Sequence, residues 1–244
     1  MKTLEKYWIV LIIGLFTWVP SFATWSIILI DPKTKEIGIA GASCSYNCYG
    51  IGKIAPGMGA IIVQAMSNND ARDMGFKLLM AKATPEQIIT AMRSPEFDPE
   101  EQQYAVVTVQ FLKAPKTYTG TVTKKFNGAL TGEGFSVQGN TLTSAAELQI
   151  IMDVVIKGKK DGLPISEILM AALEAGSRAG GDNRCGEQRA TSAFLTVARP
   201  IDKTPYIDLV IFGQQKGGPN AVGLLRLKYE KWMKKQAVQT SPSP

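Results

Sequence analysis

An uncharged, largely apolar run from Trp8 to Val19 ends at Pro20-Ser21-Phe22-Ala23, and the β-branched and apolar stretch Thr24-Trp25-Ser26-Ile27-Ile28-Leu29-Ile30 begins at once. This junction constrains the fold more than any other feature. Lys2 and Lys6 precede the run, and Ser21 and Ala23 put small residues at the two positions a signal peptidase reads, the three-part layout of a secretory leader. The run is shorter than the roughly 20 residues of a spanning helix, the need of the alternative, an uncleaved anchor. Cleavage after Ala23 is therefore expected. It divides the chain into a signal peptide (1–23), a single domain (24–235) with length enough for a real core, and a flexible tail (236–244). The expected location is periplasmic or secreted, with no membrane contact after cleavage.

Cleavage there would make Thr24 a chain-terminal threonine, whose free α-amine lies a few ångströms from its own hydroxyl. With a reference pKa near ~8, that amine can accept a proton at neutral pH, so Thr24 is a candidate self-activated nucleophile. The chain contains no histidine. Mechanisms that need an imidazole, including Ser-His-Asp and Cys-His hydrolysis, are excluded, and the base must be a carboxylate, a lysine or an amine. The α-amine of Thr24 fills that role without further assumption.

The net charge of +6 is spread along the chain or gathered at helix ends such as Lys157 to Lys160, without interleaved aromatics. That is a solvated surface, and no nucleic-acid partner is expected. Three cysteines entering an oxidising compartment predict at least one disulfide. Cys44 with Cys185, both in polar loops beside strand ends, is the favoured pair, and Cys44 with Cys48 is the alternative. Three widely separated cysteines without histidine argue against a closed zinc site, so no metal and no other cofactor are expected.

Strands are predicted at 24–30, 37–43 and 59–66, with the first two forming a hairpin around Asp31-Pro32-Lys33-Thr34-Lys35. Gly50 to Ala55 reads as turns and close backbone packing. Asn68 can cap a helix, and Thr84-Pro85-Glu86-Gln87 is a strong helix start with a capping box. Residues 104–112 and 117–123 look like a second hairpin, and Gly128 to Gly139 like a glycine-bearing connection. Ser144 with Glu147 reads as another capping box. Helices follow with apolar stripes at Leu148, Ile151 and Val155, and at Ile165, Ile168, Leu169, Ala172 and Leu173. Strands at 192–198 and 207–212 and a last helix complete an α+β domain.

Several residues are candidates for a site around Thr24. Asn140, or the backbone amides near Gly139, could supply the donors an acyl-transfer oxyanion needs, and the competing role is a turn amide that caps the next helix. Ser26 shares a strand face with Thr24. Gln64, Asn68 and Gln138 could line a pocket, with a helix cap as the competing role for Asn68. Asp182 and Arg184 could orient the Thr24 amine or bind a charged substrate end, or form a structural ion pair beside a disulfide.

Taken together, Thr24-Trp25-Ser26-Ile27, Gln64-Ala65 with Asn68, Gln138-Gly139-Asn140 and Gly180-Gly181-Asp182-Asn183-Arg184-Cys185-Gly186 resemble the family called domain of unknown function 1028 over nearly the whole chain beyond the leader. That family looks like a branch of the Ntn, or N-terminal nucleophile, hydrolases. The resemblance implies a four-layer αββα sandwich in which an N-terminal residue attacks an amide carbonyl while its amine shuttles the proton. Only Thr24 inherits a role directly. The chain departs from the common pattern at Asn69, where proline usually follows the Asn68 equivalent, and at Cys44, where many members have arginine. The expected activity is hydrolysis of a small amide or peptide-like substrate. A non-catalytic envelope binding protein is the alternative, and homo-oligomerisation is left open.

Overall fold

β1 (Thr24–Ile30) and β2 (Ile37–Ser43) pair antiparallel, from Thr24 opposite Ser43 to Ile30 opposite Ile37. Between them the Asp31 carboxylate accepts hydrogen bonds from the amides of Lys33 and Thr34, and Lys35 adopts a left-handed φ of 60°. This is the local chemistry that reverses a chain in so few residues. The coordinates, a computed structural model, describe residues 24–240. The expected leader, 1–23, lies outside the described residues.

The remaining strands are β3 (Gly52–Ala55), β4 (Gly59–Ala65), β5 (Gln102–Thr108), β6 (Lys116–Thr119), β7 (Gly128–Gly132), β8 (Phe135–Asn140), β9 (Ser192–Ala198) and β10 (Ile207–Ile211). They form a six-stranded sheet in the order β10-β9-β2-β1-β8-β7 and a four-stranded sheet in the order β3-β4-β5-β6. Every pairing is antiparallel. The helices are α1 (Asn69–Met80), α2 (Pro85–Met92), α3 (Glu147–Lys160), α4 (Ile165–Ala179) and α5 (Ala221–Thr240). The molecule is thus a mixed α+β fold with two antiparallel sheets and flanking helices.

Strand alternation sorts the core into three parts. On β1, Trp25, Ile27 and Leu29 face α3, α4 and α5 and pack with Leu148, Ile151, Leu169, Leu173 and Tyr229. Ile28 and Ile30 face the other way and meet Ile62, Ala105 and Val107 of the second sheet. The outer face of that sheet, with Ile61, Val63 and Val106, is covered by Leu79, Ile88 and Met92 from α1 and α2. All seven residues of β1 are buried because the strand is central and covered on both faces. Each fully buried aliphatic side chain here contributes about 2 kcal/mol, so the centre of β1 is fixed firmly relative to both sheets.

Several boundaries differ from the sequence reading. The glycine-rich segment 128–139 is a β-hairpin, β7 and β8, because its alternating Phe135 and Val137 pack inward on the helices. Gly52 to Ala55 is a short edge strand, since a Cβ at Gly52 would lie 2.9 Å from the Ile61 carbonyl oxygen and the glycine permits that approach. The capping box at Thr84 and Gln87 forms. The one expected at Ser144 and Glu147 does not, because Ala146 occupies the N-cap and the Glu147 side chain turns inward. α5 continues to Thr240, past the domain end expected at 235.

Candidate functional site

The space between the sheets changes character along its length. At one end it is filled by Ile28, Ile30, Ile39 and Ile62; at the other, the same inward-facing register positions carry Thr24, Ser26, Ser43, Gln64, Gln103, Gln138 and Asn140. These polar side chains are all buried. Burial without hydrogen bonds would be costly, and they bond chiefly to one another. Ser26 Oγ donates to Gln64 Oε1 at 2.5 Å and accepts from Gln138 Nε2 at 2.7 Å. Gln64 Nε2 donates to the Thr24 carbonyl at 3.2 Å and to Gln103 Oε1 at 2.9 Å. Asn140 Nδ2 donates to the same Gln103 oxygen at 2.9 Å, and Gln103 Nε2 closes the network on the Gly139 carbonyl at 2.8 Å.

Thr24 is the first residue of β1, flanked in register by Ser43 on β2 and Asn140 on β8. Directly opposed residues hold their Cβ atoms roughly 5 Å apart, so the Asn140 amide is a near neighbour of the Thr24 hydroxyl. Thr24 also lines a cleft of about 300 Å³ together with Ser45, Cys48, Tyr49, Gln64, Ser67 and Arg72. Ala65 and Ser67, on the same wall, adopt left-handed φ values of 68° and 48°, and Thr141 beside Asn140 has 53°. Such conformations cost of order 1–3 kcal/mol each outside glycine and gather at functional sites.

Among the described residues, the cleft wall holds no histidine, aspartate, glutamate or lysine. Ser45 and Ser67 therefore have no side-chain base beside them in the cleft, and the Ser67 hydroxyl already donates to the Val63 carbonyl at 2.8 Å. The Cys48 thiol is pushed up to about 12 by burial and stays protonated, which removes it as a thiolate nucleophile. A second cleft of about 330 Å³ around Met58, Leu79 and Val109 has Lys82 as its one ionisable side chain among the described residues.

The segment after α4 closes over the end of β1. Leu142 bridges to Asp182, the Asn183 amide donates to the Thr141 carbonyl at 3.1 Å, and the Cys44 amide donates to Asp182 Oδ2 at 2.6 Å. Asp182 thus joins the strand ends on either side of Thr24. Its fully buried carboxylate also takes Arg184 Nε at 3.0 Å and Nη2 at 2.6 Å. The fork-on-carboxylate geometry and the burial make this pair a positioning device for the segment. The Cys44–Cys185 disulfide, with a Cα separation of 5.6 Å, fixes the same corner, and Cys48 is a buried free cysteine.

The structure brings Thr24, Ser26, Gln64, Gln138, Gly139 and Asn140 together, with Asp182 and Arg184 at the edge. Asn68 lies apart in function: its Oδ1 caps α1 by accepting from the amides of Asp70 and Ala71, and its Nδ2 donates to the Phe97 carbonyl. Gly139 sits inside the sheet between β1 and β7, and a Cβ there would come within 2.8 Å of Leu142. Sequence reasoning missed Gln103, the hub of the network, although its alternation with Ala105 and Val107 marks it as inward-facing. It missed Arg72 too, for which no local pattern points to a cleft. Among the described residues, no group of three or more His, Cys, Asp or Glu could hold a metal ion.

Comparison with known proteins bears on the fold and the family. The structure resembles the crystal structure of protein SPO2555 from Silicibacter pomeroyi, a DUF1028 protein, with a TM-score of 0.73 and 24% sequence identity over 86% of this chain and 85% of that one. Comparison with curated proteins gives no match. The model of the family described as "Family of unknown function (DUF1028)" matches residues 24–217, starting at the first residue of β1. The chain belongs to the DUF1028 family.

Proposed function

We propose that the protein is an exported amide hydrolase of the N-terminal-nucleophile type. In this reading its two sheets and flanking helices form the four-layer αββα sandwich of that class, and removal of residues 1–23 frees the Thr24 amine. The Thr24 hydroxyl oxygen attacks the amide carbonyl carbon while the α-amine takes the hydroxyl proton. The amine delivers that proton to the leaving nitrogen as the C–N bond breaks, leaving an ester on Thr24. Water attacks the ester, the amine accepts its proton, and the proton returns to the Thr24 oxygen as the carboxylic acid departs. Asn140 Nδ2 makes one hydrogen bond, to Gln103, and its second hydrogen is the proposed oxyanion donor.

The observation that carries this reading is the composition of the cleft wall: among the described residues, Thr24 is present and no side-chain base is. The start of the family match at Thr24 supports a domain that begins there. The disulfide is compatible with an oxidising compartment. The test is turnover of a panel of small amides by wild-type protein and a correctly processed Thr24→Ala variant, with intact mass read after exposure to a β-lactone. The expected result is turnover and a single Thr24-dependent adduct in the wild type only. Equal turnover by both proteins would remove the mechanism.

A second reading, a binding protein without catalysis, is favoured by one observation. The amide groups around Thr24 are already hydrogen-bonded to one another, as a rigid recognition floor would be. It predicts ligand binding that survives Thr24→Ala, and no adduct on the wild type.

A further inference from the structure

Among the described residues, the cleft that holds Thr24 has a single charged side chain on its wall, Arg72 of α1. Its Nη2 donates to Asn69 Oδ1 at 2.6 Å, while its Nε is buried and has no hydrogen-bond partner. Burial lowers the guanidinium's pKa and neighbouring Asp73 raises it, and so strongly basic a group keeps its charge near neutral pH. No carboxylate among the described residues lines the cleft, and Asp73 is engaged by Lys53 at 2.6 Å outside it. The α1 terminus is not the source of this potential, since Asn68 already accepts from the amides of Asp70 and Ala71. What remains is a partly buried guanidinium on the wall of a cleft whose other described lining residues are uncharged. A planar oxyanion completes such a group with charge-assisted hydrogen bonds.

We propose that the ligand of this cleft is a small carboxylate-bearing amide, with the carboxylate on Arg72 and the amide carbonyl at Thr24. The proposal rests on the hydrolase reading for the amide half only. A volume of about 300 Å³ is at the low end for ligand sites, so amide and carboxylate must be separated by few bonds, as in an N-acyl amino acid.

The test uses the mature, disulfide-intact protein and its Thr24→Ala, Arg72→Lys and Arg72→Gln variants. The probes are the N-acetyl derivatives of the common amino acids and, for each, the C-terminal carboxamide, which keeps the shape and removes the charge. Binding is read by calorimetry and release of acetate by NMR, with far-UV circular dichroism as the check on folding. The expected result is that at least one carboxylate binds both wild type and Thr24→Ala, and that its carboxamide binds roughly 10- to 100-fold more weakly. Arg72→Gln is expected to lose a similar factor, and Arg72→Lys, which keeps the charge without the fork, to lose less. Arg72-dependent binding without acetate release would uphold the anion site and count against the hydrolase. Thr24-dependent release that is equal for carboxylates and carboxamides, or unchanged by Arg72→Gln, would overturn the anion site and leave the hydrolase standing. Failure of every carboxylate to bind the folded wild type would also overturn it.

Discussion

Glu147 is fully buried with neither carboxylate oxygen hydrogen-bonded, an arrangement that disfavours its charged form. The amides of Thr143 and Gly181 lie near it but already donate to the carbonyls of Gly181 and Gly176. Burial pushes its carboxyl up to about 8, Asp182 adds to the rise, and Arg189 opposes it. The folded protein therefore keeps this proton up to about pH 8, whereas the unfolded chain releases it near 4.5. The folded state binds more protons across that window, so stability falls as pH rises through it, by about 3 kcal/mol at pH 7. Replacing Glu147 by Gln is expected to raise the urea midpoint at pH 8 and to change it little at pH 5. Equal effects at the two values would show that Glu147 is ionised in the native state. In the proposed mechanism, Asn140→Ala lowers kcat by roughly 10²- to 10³-fold with KM little changed. A loss confined to KM would assign Asn140 to ligand binding instead.

At the scale of elements, α4 and β1 meet through a contact that small size alone allows. A Cβ on Gly176 would lie 2.6 Å from Trp25 Nε1 and 2.9 Å from Ile151 Cδ1. Glycine within a helix costs about 1 kcal/mol relative to alanine, so an isolated α4 would gain from Gly176→Ala. In the folded protein the overlap is expected to win, with a net loss of about 1–3 kcal/mol in the denaturation free energy. Because Trp25 adjoins Thr24, the same variant should also lower turnover; a stabilised and fully active Gly176→Ala protein would contradict this packing.

Elements with strong local signals were legible in the sequence. The β1–β2 turn, the Thr84 capping box and the apolar stripe of α4 each follow from a few adjacent residues. Those that depend on distant partners were not. β8 reads as a glycine-rich connection until β1 and β7 supply its hydrogen bonds, and Glu147 reads as a cap until its side chain is seen to be buried. For the site, the alternation that places Ser26 beside Thr24 is local. The meeting of Gln64, Gln103 and Gln138 depends on two sheets facing each other. Arg72 became a cleft residue only through the packing of α1 on the second sheet.

For the whole molecule, the loop that spans the end of β1 is held by the Cys44–Cys185 disulfide, which closes 141 residues of chain. Constraint of the unfolded state by so long a loop is worth up to about 5 kcal/mol in the chain-entropy treatment. Cys44→Ser with Cys185→Ser is therefore expected to lower stability by roughly 2–5 kcal/mol and to loosen the segment that carries Asp182. Thermal melts with and without reductant measure the first effect, and hydrogen exchange at residues 180–190 the second. Unchanged melting would show that hydrogen bonds alone secure the corner.

All the chemistry proposed here depends on Thr24 having a free α-amine. The most direct measurement is the intact mass and N-terminal sequence of the full-length chain after export from a bacterial host. A mature protein that begins at Thr24 with an unblocked amine is the predicted result. A chain that begins elsewhere, or whose Thr24 amine is blocked, would leave the hydroxyl without its base and contradict the mechanism.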